Sequence, residues 1–122
     1  MPLSRVTIVD DELLAAFARL MPQLTKAPAP TRAEIESMLA AGAVLLIARA
    51  PDEHSPIIGM ATLATFRSPA GLHAHIEDVI VDQAMRGKRI GEDLVNGLLA
   101  IAKEMGLPGV SLTCNPRRVA AN

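Results

Sequence analysis

His75-Ile76-Glu77-Asp78-Val79-Ile80-Val81-Asp82-Gln83-Ala84-Met85-Arg86-Gly87-Lys88-Arg89-Ile90-Gly91 is the stretch on which the reading of this chain turns. It starts as a strand, with apolar and β-branched residues around an acidic pair. A short polar loop follows, carrying Gly87 and the cations Arg86, Lys88 and Arg89. From Ile90 the period becomes helical, with Leu94, Leu98, Ile101 or Ala102, and Met105 on one face. A strand that passes through a basic glycine loop into a helix makes an anion site. The first helical amides lack internal partners, and the helix dipole is positive at that end. Gly87 and Gly91 allow close backbone approach to a phosphate. The chain has a formal net charge of −1, so this local positive charge suits a small anionic ligand better than a polyanion.

Two familiar phosphate motifs fail on these residues. A Walker loop needs a glycine where Asp82 stands, and Ser or Thr where Arg89 stands. A dinucleotide fingerprint needs G-x-G-x-x-G after the first strand, where this chain has no glycine.

Working upstream, Val44-Leu45-Leu46-Ile47-Ala48 is a continuous apolar run, as expected of a strand covered on both faces. A polar loop, Pro51-Asp52-Glu53-His54-Ser55-Pro56, leads to a strand through Ile57-Ile58-Gly59-Met60-Ala61-Thr62-Leu63. Ser68-Pro69-Ala70-Gly71 is the turn into the strand of the opening stretch. Thr31 and Glu34 have capping-box spacing before a helix ending near Gly42. Asp10 or Asp11 caps an earlier helix whose apolar positions are Leu13, Phe17, Leu20 and Met21. Arg5-Val6-Thr7-Ile8-Val9 reads as a first strand, and Val110-Ser111-Leu112-Thr113-Cys114 as a last one. The order is β-α-α-β-β-β-α-β. That predicts an α/β layered domain over residues 1–122, with a mixed, largely antiparallel sheet and helices on both faces. The middle strands form the antiparallel meander, and the helix after Val81 makes the crossover.

Composition excludes other classes. Of 122 residues, 50% are hydrophobic and 20% charged, which rules out disorder and fits one domain with a sizeable core. Cys114 is the one cysteine, so a disulfide-stapled secreted domain is excluded. The longest small-or-apolar run, residues 38–48, is short of the ~20 residues a membrane helix needs. Charged residues stand near the N-terminus where a signal peptide would be apolar. We therefore expect a cytoplasmic protein with neither membrane nor nucleic acid as partner. Three scattered histidines and one cysteine give no metal-ligand cluster.

The opening stretch resembles the GNAT superfamily of acetyl-CoA-dependent N-acetyltransferases. Their hallmark is a strand, then Arg/Gln-x-x-Gly-x-Gly/Ala, then a helix. Arg86, Gly87, Ile90 and Gly91 match the common form Arg-Gly-x-Gly-Ile-Gly, while Arg89 replaces the central glycine, which a helical φ there would accommodate. The resemblance implies that acetyl-CoA is the co-substrate. By it, residues 86–91 (Arg86, Gly87, Lys88, Arg89, Ile90, Gly91) hold the pyrophosphate. Val79, Ile80 and Val81 pair with the pantetheine arm like an added strand, and Asn115 is a polar residue near the coenzyme.

Acetyl transfer to an amine requires removal of a proton from the amine, so acids beside the loop matter. Glu77 is the expected general base, directly or through water, with Asp78 orienting the amine. Similar Ile-Glu-Asp-Val strands in GNAT enzymes, glucosamine-6-phosphate acetyltransferases among them, have acids on the acceptor side. Ideal alternation groups His73, His75, Glu77 and Val79 on one face, and Ile76, Asp78 and Ile80 on the other. A bulge would shift that grouping, which leaves open which acid faces the substrate. His73 and His75 read as solvent-exposed strand residues, Cys114 as a buried thiol, and Met21, Met38, Met60 and Met105 as core.

Family members of this subtype continue beyond a segment like residues 115–122 into a helix carrying a tyrosine and then two strands. The expectation is a C-terminally incomplete domain. Either a tail follows, or a second copy of the chain covers the exposed sheet edge, or the fold binds acyl-CoA without catalysis. The functional expectation is an N-acetyltransferase working by direct attack of a primary amine, its acceptor a small molecule or a peptide. The alternatives are a non-catalytic acyl-CoA-binding or interaction module and, last, a domain binding another nucleotide.

Overall fold

The computed structural model describes residues 2–107 and 109–112. The sheet begins with β1 (Leu3–Arg5), followed by helices α1 (Asp11–Leu20) and α2 (Arg32–Ala40). Strands β2 (Val44–Arg49), β3 (Ile57–Ser68) and β4 (Gly71–Val81) follow in a meander. Helix α3 (Ile90–Glu104) then crosses over to β5 (Ser111–Leu112). The spatial order is β1-β2-β3-β4-β5, antiparallel through β4, with β5 parallel to β4. The predicted order of elements is the observed one.

Local chemistry sets the helix starts. Asp10 accepts the Leu13 amide at 2.9 Å, and Thr31 and Glu34 close a reciprocal capping box. Such caps contribute about 1 kcal/mol each by satisfying amides that the helix leaves unpaired. Helix α2 stops at Ala40, and Gly42 follows at φ 103°.

The sheet separates two cores. On one face, Leu46, Leu63, Ile76, Val79 and Val81 pack against Ile90, Leu94 and Leu98 of α3. On the other, Leu45, Ile47, Met60 and Ile80 pack against Leu13, Phe17 and Leu20 of α1 and Ile35 of α2. Leu94 and Leu98 are fully buried, each worth about 1.5–3 kcal/mol relative to exposure. Gly59 is where α3 closes on the sheet. A Cβ there would lie 3.1 Å from Leu94 Cδ1 and 3.2 Å from the Ile80 carbonyl oxygen. Outside the cores, Arg49 grips Glu12 with two hydrogen bonds of 2.6 and 2.8 Å, tying β2 to α1.

The first strand differs from its prediction over residues 5–9. It is Leu3–Arg5 that pairs with β2, from Leu3↔Ala48 to Arg5↔Leu46. After one further bond, from the Val6 amide to the Leu45 carbonyl, the chain leaves the edge for α1. Val9 is buried against the α1 face while Ile8 is 77% exposed. The β-branched alternation was therefore a connection, because an edge strand exists only where its neighbour offers partners. Cys114 and Asn115, with the expected end of the last strand, lie outside the described residues.

Candidate functional site

Two features of β4 build the site, a bulge in the strand and the loop at its end. Met60 pairs with Ile80 and Thr62 with Glu77, so Ala61 alone stands opposite both Asp78 and Val79. Asp78 has φ 52°, the left-handed conformation found in such bulges and one that Asp tolerates better than most residues. The extra residue reverses the alternation. Ile76, Val79 and Val81 all face α3, whereas Ile80 faces α1 and α2. The grouping of Ile76 with Asp78 and Ile80, and of Val79 with the histidines, is thus corrected by one inserted residue.

Asp78 and Ile80 line a cavity of about 310 Å³ on the α1/α2 face, with Met60 and Thr62 of β3. Its walls are Phe17 at the end of α1, Met21, Pro28 and Pro30 in the connection, and Glu34, Ile35 and Met38 of α2. Glu77, exposed, lies beside it in sequence and opposite Thr62 in register, but is not part of the lining. Of the two acids predicted for catalysis, the structure brings Asp78 to the cavity and leaves Glu77 beside it.

Two arginines close to the cavity in sequence are engaged elsewhere, while Lys26 of the connection is exposed and outside the lining. Arg19 donates to the Ile57 carbonyl at 2.5 Å. Arg32 bonds the Val9 carbonyl and pairs with Asp11 at 2.7 Å. Further along the same sheet, Phe66 stacks against His73 and His75, with ring centroids 4.8 and 5.3 Å apart. His73 Nε2 and Ser68 Oγ are 2.7 Å apart. Both histidines are half-buried rather than exposed.

Sequence spacing places the methionines only in part. Met60 is core as expected, at 1% exposure, and also borders the cavity; Met21 and Met38 are partly buried and line it, and Met105 is 44% exposed beyond α3. Helical period separates inside from outside, but not a packed core from a cavity wall. Phe17 was missed for the same reason, while Thr62 and Glu34 join the lining only once β3 and α2 are brought together.

At the end of β4, Asp82 accepts the Ala84 amide at 3.1 Å, forming a one-turn 3₁₀ segment. Gly87 follows at φ 86°, with open space where a Cβ would project. Arg89 precedes α3 at φ 59° and ψ 24° and makes no side-chain cap. That conformation is left-handed, contrary to the ordinary helical φ expected for it. The turn from the glycine loop into α3 demands the geometry that glycine adopts most cheaply. The first amide bonded within α3 is that of Asp93, to the Arg89 carbonyl. The amides of Ile90, Gly91 and Glu92 therefore form the uncapped positive end of a 15-residue helix. Arg86, Lys88 and Arg89 surround it, all exposed. A recess of about 440 Å³ lies beside the loop, lined by Met85, Lys88, Ile90 and Asp93 with Ala50 and Pro51. This end of α3 fits a phosphate-bearing ligand.

On the far side of β4, the described pairing with β5 covers only His75↔Ser111 and Ile76↔Leu112. Among the described residues, Val79, Ile80 and Val81 run on past it toward the loop. No group of three or more His, Cys, Asp or Glu able to hold a metal occurs among them. No helix among them is long and apolar enough to cross a membrane.

Comparison with known proteins agrees with this geometry. The sequence profile described as "Acetyltransferase (GNAT) family" matches residues 12–122. A probable glucosamine 6-phosphate N-acetyltransferase 2 of Oryza sativa subsp. japonica is 36% identical over 110 residues, 82% of this chain and 66% of that protein. A glucosamine 6-phosphate N-acetyltransferase 1 of the same plant is 32% identical over 113 residues, 86% of this chain and 68% of that protein. The chain thus spans about two thirds of the length of these curated relatives. The crystal structure of glucosamine-6-phosphate N-acetyltransferase from Arabidopsis thaliana superposes with a TM-score of 0.75 at 26% identity, covering 94% of this chain and 84% of that one. With the mixed sheet, the bulged β4 and the glycine loop leading into α3 already in place, the chain belongs to the GNAT family of acetyltransferases.

Proposed function

We propose that this chain is an N-acetyltransferase that moves the acetyl group of acetyl-CoA to a primary amine held over β3 and β4. The observation that carries the reading is that one strand joins the two half-sites. Its bulge sets Asp78 at the lining of an open cavity, and its end leads into an uncapped, cationic helix N-terminus. The family uses acetyl-CoA, which supplies an activated thioester. The amides of Ile90 and Gly91, with Gly87, Arg86, Lys88 and Arg89, bind the pyrophosphate. Backbone groups of Val79, Ile80 and Val81 on the β5 side receive the pantetheine arm as an added strand would.

On the acceptor side, Asp78 attracts and orients the ammonium. Glu77 takes the proton through water, because an amine is nucleophilic only once deprotonated. The glucosamine-6-phosphate of the relatives' names marks small-molecule amines as the acceptor class to test first. The same reading sets the protein in the cytoplasm, with Cys114 unpaired in reducing surroundings.

Titration calorimetry with coenzyme A and thiol release with an amine panel test the proposal. Submillimolar binding with amine-dependent release is expected. Binding without release for any amine leaves an acyl-CoA-binding module, and no binding removes both. Replacing Glu77 with Gln lowers turnover by about 100-fold or more if it is the base. Unchanged turnover of Glu77→Gln between about pH 6 and 9 would remove it from that role.

A further inference from the structure

The acceptor cavity has the wrong chemistry for an anionic sugar. Among the described residues its lining contains no Lys, Arg or His. Two lining residues, Glu34 and Asp78, are acidic, and Met21, Met38, Met60 and Phe17 provide a polarizable apolar wall. Of the neighbouring cations, Arg19 is turned to the Ile57 carbonyl and Arg32 to Val9 and Asp11, while Lys26 is exposed in the connection and is not part of the lining. A phosphorylated amino sugar would bring its phosphate up to two carboxylates, and like charges brought together oppose binding. An alkyl or arylalkyl ammonium meets the opposite situation. Its charge finds Asp78, and its hydrocarbon displaces water from thioether and aromatic surface.

We infer that the preferred acceptor is a primary amine bearing an apolar substituent and no anionic group. The inference rests on the N-acetyltransferase reading for the reaction, and on the cavity lining for the class of amine. In the transfer the amine nitrogen bonds the acetyl carbon as the carbon–sulfur bond breaks. One amine proton passes through water toward Glu77, and the thiolate leaves with the bonding pair and is protonated from solvent. The apolar substituent stays among Met21, Met38 and Met60.

The test uses the full chain with acetyl-CoA and follows thiol release for propylamine, hexylamine, octylamine, phenethylamine and glucosamine-6-phosphate. The expected kcat/KM rises along the alkyl series by up to about fourfold per methylene, the equivalent of ~0.8 kcal/mol for each CH₂ buried. It exceeds that for glucosamine-6-phosphate by roughly 100-fold or more. A readout independent of turnover comes from ¹³C-methyl methionine NMR on the coenzyme A-loaded protein. Hexylamine shifts the Met21, Met38 and Met60 signals, with exposed Met105 as the internal control, and glucosamine-6-phosphate shifts none of them. Higher kcat/KM for glucosamine-6-phosphate than for every alkylamine overturns the inference and leaves the acetyltransferase standing. Release with no amine at all overturns the acetyltransferase reading, and the NMR titration then decides the cavity's preference alone. Methionine shifts with hexylamine sustain that preference, and their absence ends it.

Discussion

Replacing Arg89 with alanine and, separately, with glycine removes the same guanidinium and the same side-chain contacts. The difference between the two variants therefore isolates the backbone. Arg89 sits at φ 59° and ψ 24°. Holding an L-residue in that region costs roughly 1–2 kcal/mol, which glycine escapes. Glycine in turn loses about 0.4–1 kcal/mol more chain entropy on folding than alanine. The balance leaves Arg89→Gly more stable than Arg89→Ala by roughly 0.5–1 kcal/mol. With unfolding entropy of ~2.1 cal/mol/K per residue, a chain of 122 residues unfolds with about 0.26 kcal/mol/K. The two thermal midpoints should then differ by about 2–4 °C in differential scanning calorimetry. Both variants also lose one cation beside the coenzyme loop, which weakens coenzyme A binding by up to about fivefold, as for an exposed ion pair. The glycine variant binds the tighter of the two, because the turn that aims the first amides of α3 is unchanged. An alanine variant as stable as the glycine variant would refute the left-handed turn. Coenzyme A affinity equal in both variants and the parent would refute the loop as the phosphate site.

Other substitutions separate charge, packing and pairing. Asp78→Asn keeps a residue that tolerates the left-handed bulge and removes only the charge. It should lower kcat/KM for amines by about 10- to 100-fold, the scale of a charge-assisted hydrogen bond, while KM for acetyl-CoA stays within about twofold. Gly59→Val would press on Leu94 and the Ile80 carbonyl, so urea denaturation should show a loss of about 1–3 kcal/mol. Weaker coenzyme A binding should accompany it, since α3 docks there. The hydrogen bond from Arg49 holds the Glu12 carboxyl below its ordinary value of 4.5, with burial opposing slightly. A lowered folded value means the contribution is present above the ordinary value and is lost as pH falls through the folded one. Glu12→Gln should therefore cost less than about 1 kcal/mol near neutrality, and thermal midpoints of variant and parent should converge in acid.

The described part of the site was legible wherever the physics is local. A capping residue and the amides it satisfies lie within three positions of each other, so Asp10, Thr31 and Glu34 announce α1 and α2. The basic glycine loop leading into a helix likewise needs no distant partner to be read, and α3 does begin directly after it. Element order followed, because short connections and changes of period leave few arrangements. Register is different, since it counts residues on two strands at once. Nothing in Glu77-Asp78-Val79 says that Ala61 will face two residues rather than one, yet that count sends Asp78 to the cavity. The left-handed turn at Arg89 has the same origin, because α3 must begin where Ile90 and Leu94 meet Gly59.

The sequence by itself determined the layers, the helix starts and a cationic glycine loop leading into a helix, since each depends on neighbours along the chain. The tertiary structure decided which acid meets the cavity and which methionines form its wall. Both depend on how segments remote in sequence pack over one face of the sheet, because side chains meet there only after the chain has folded.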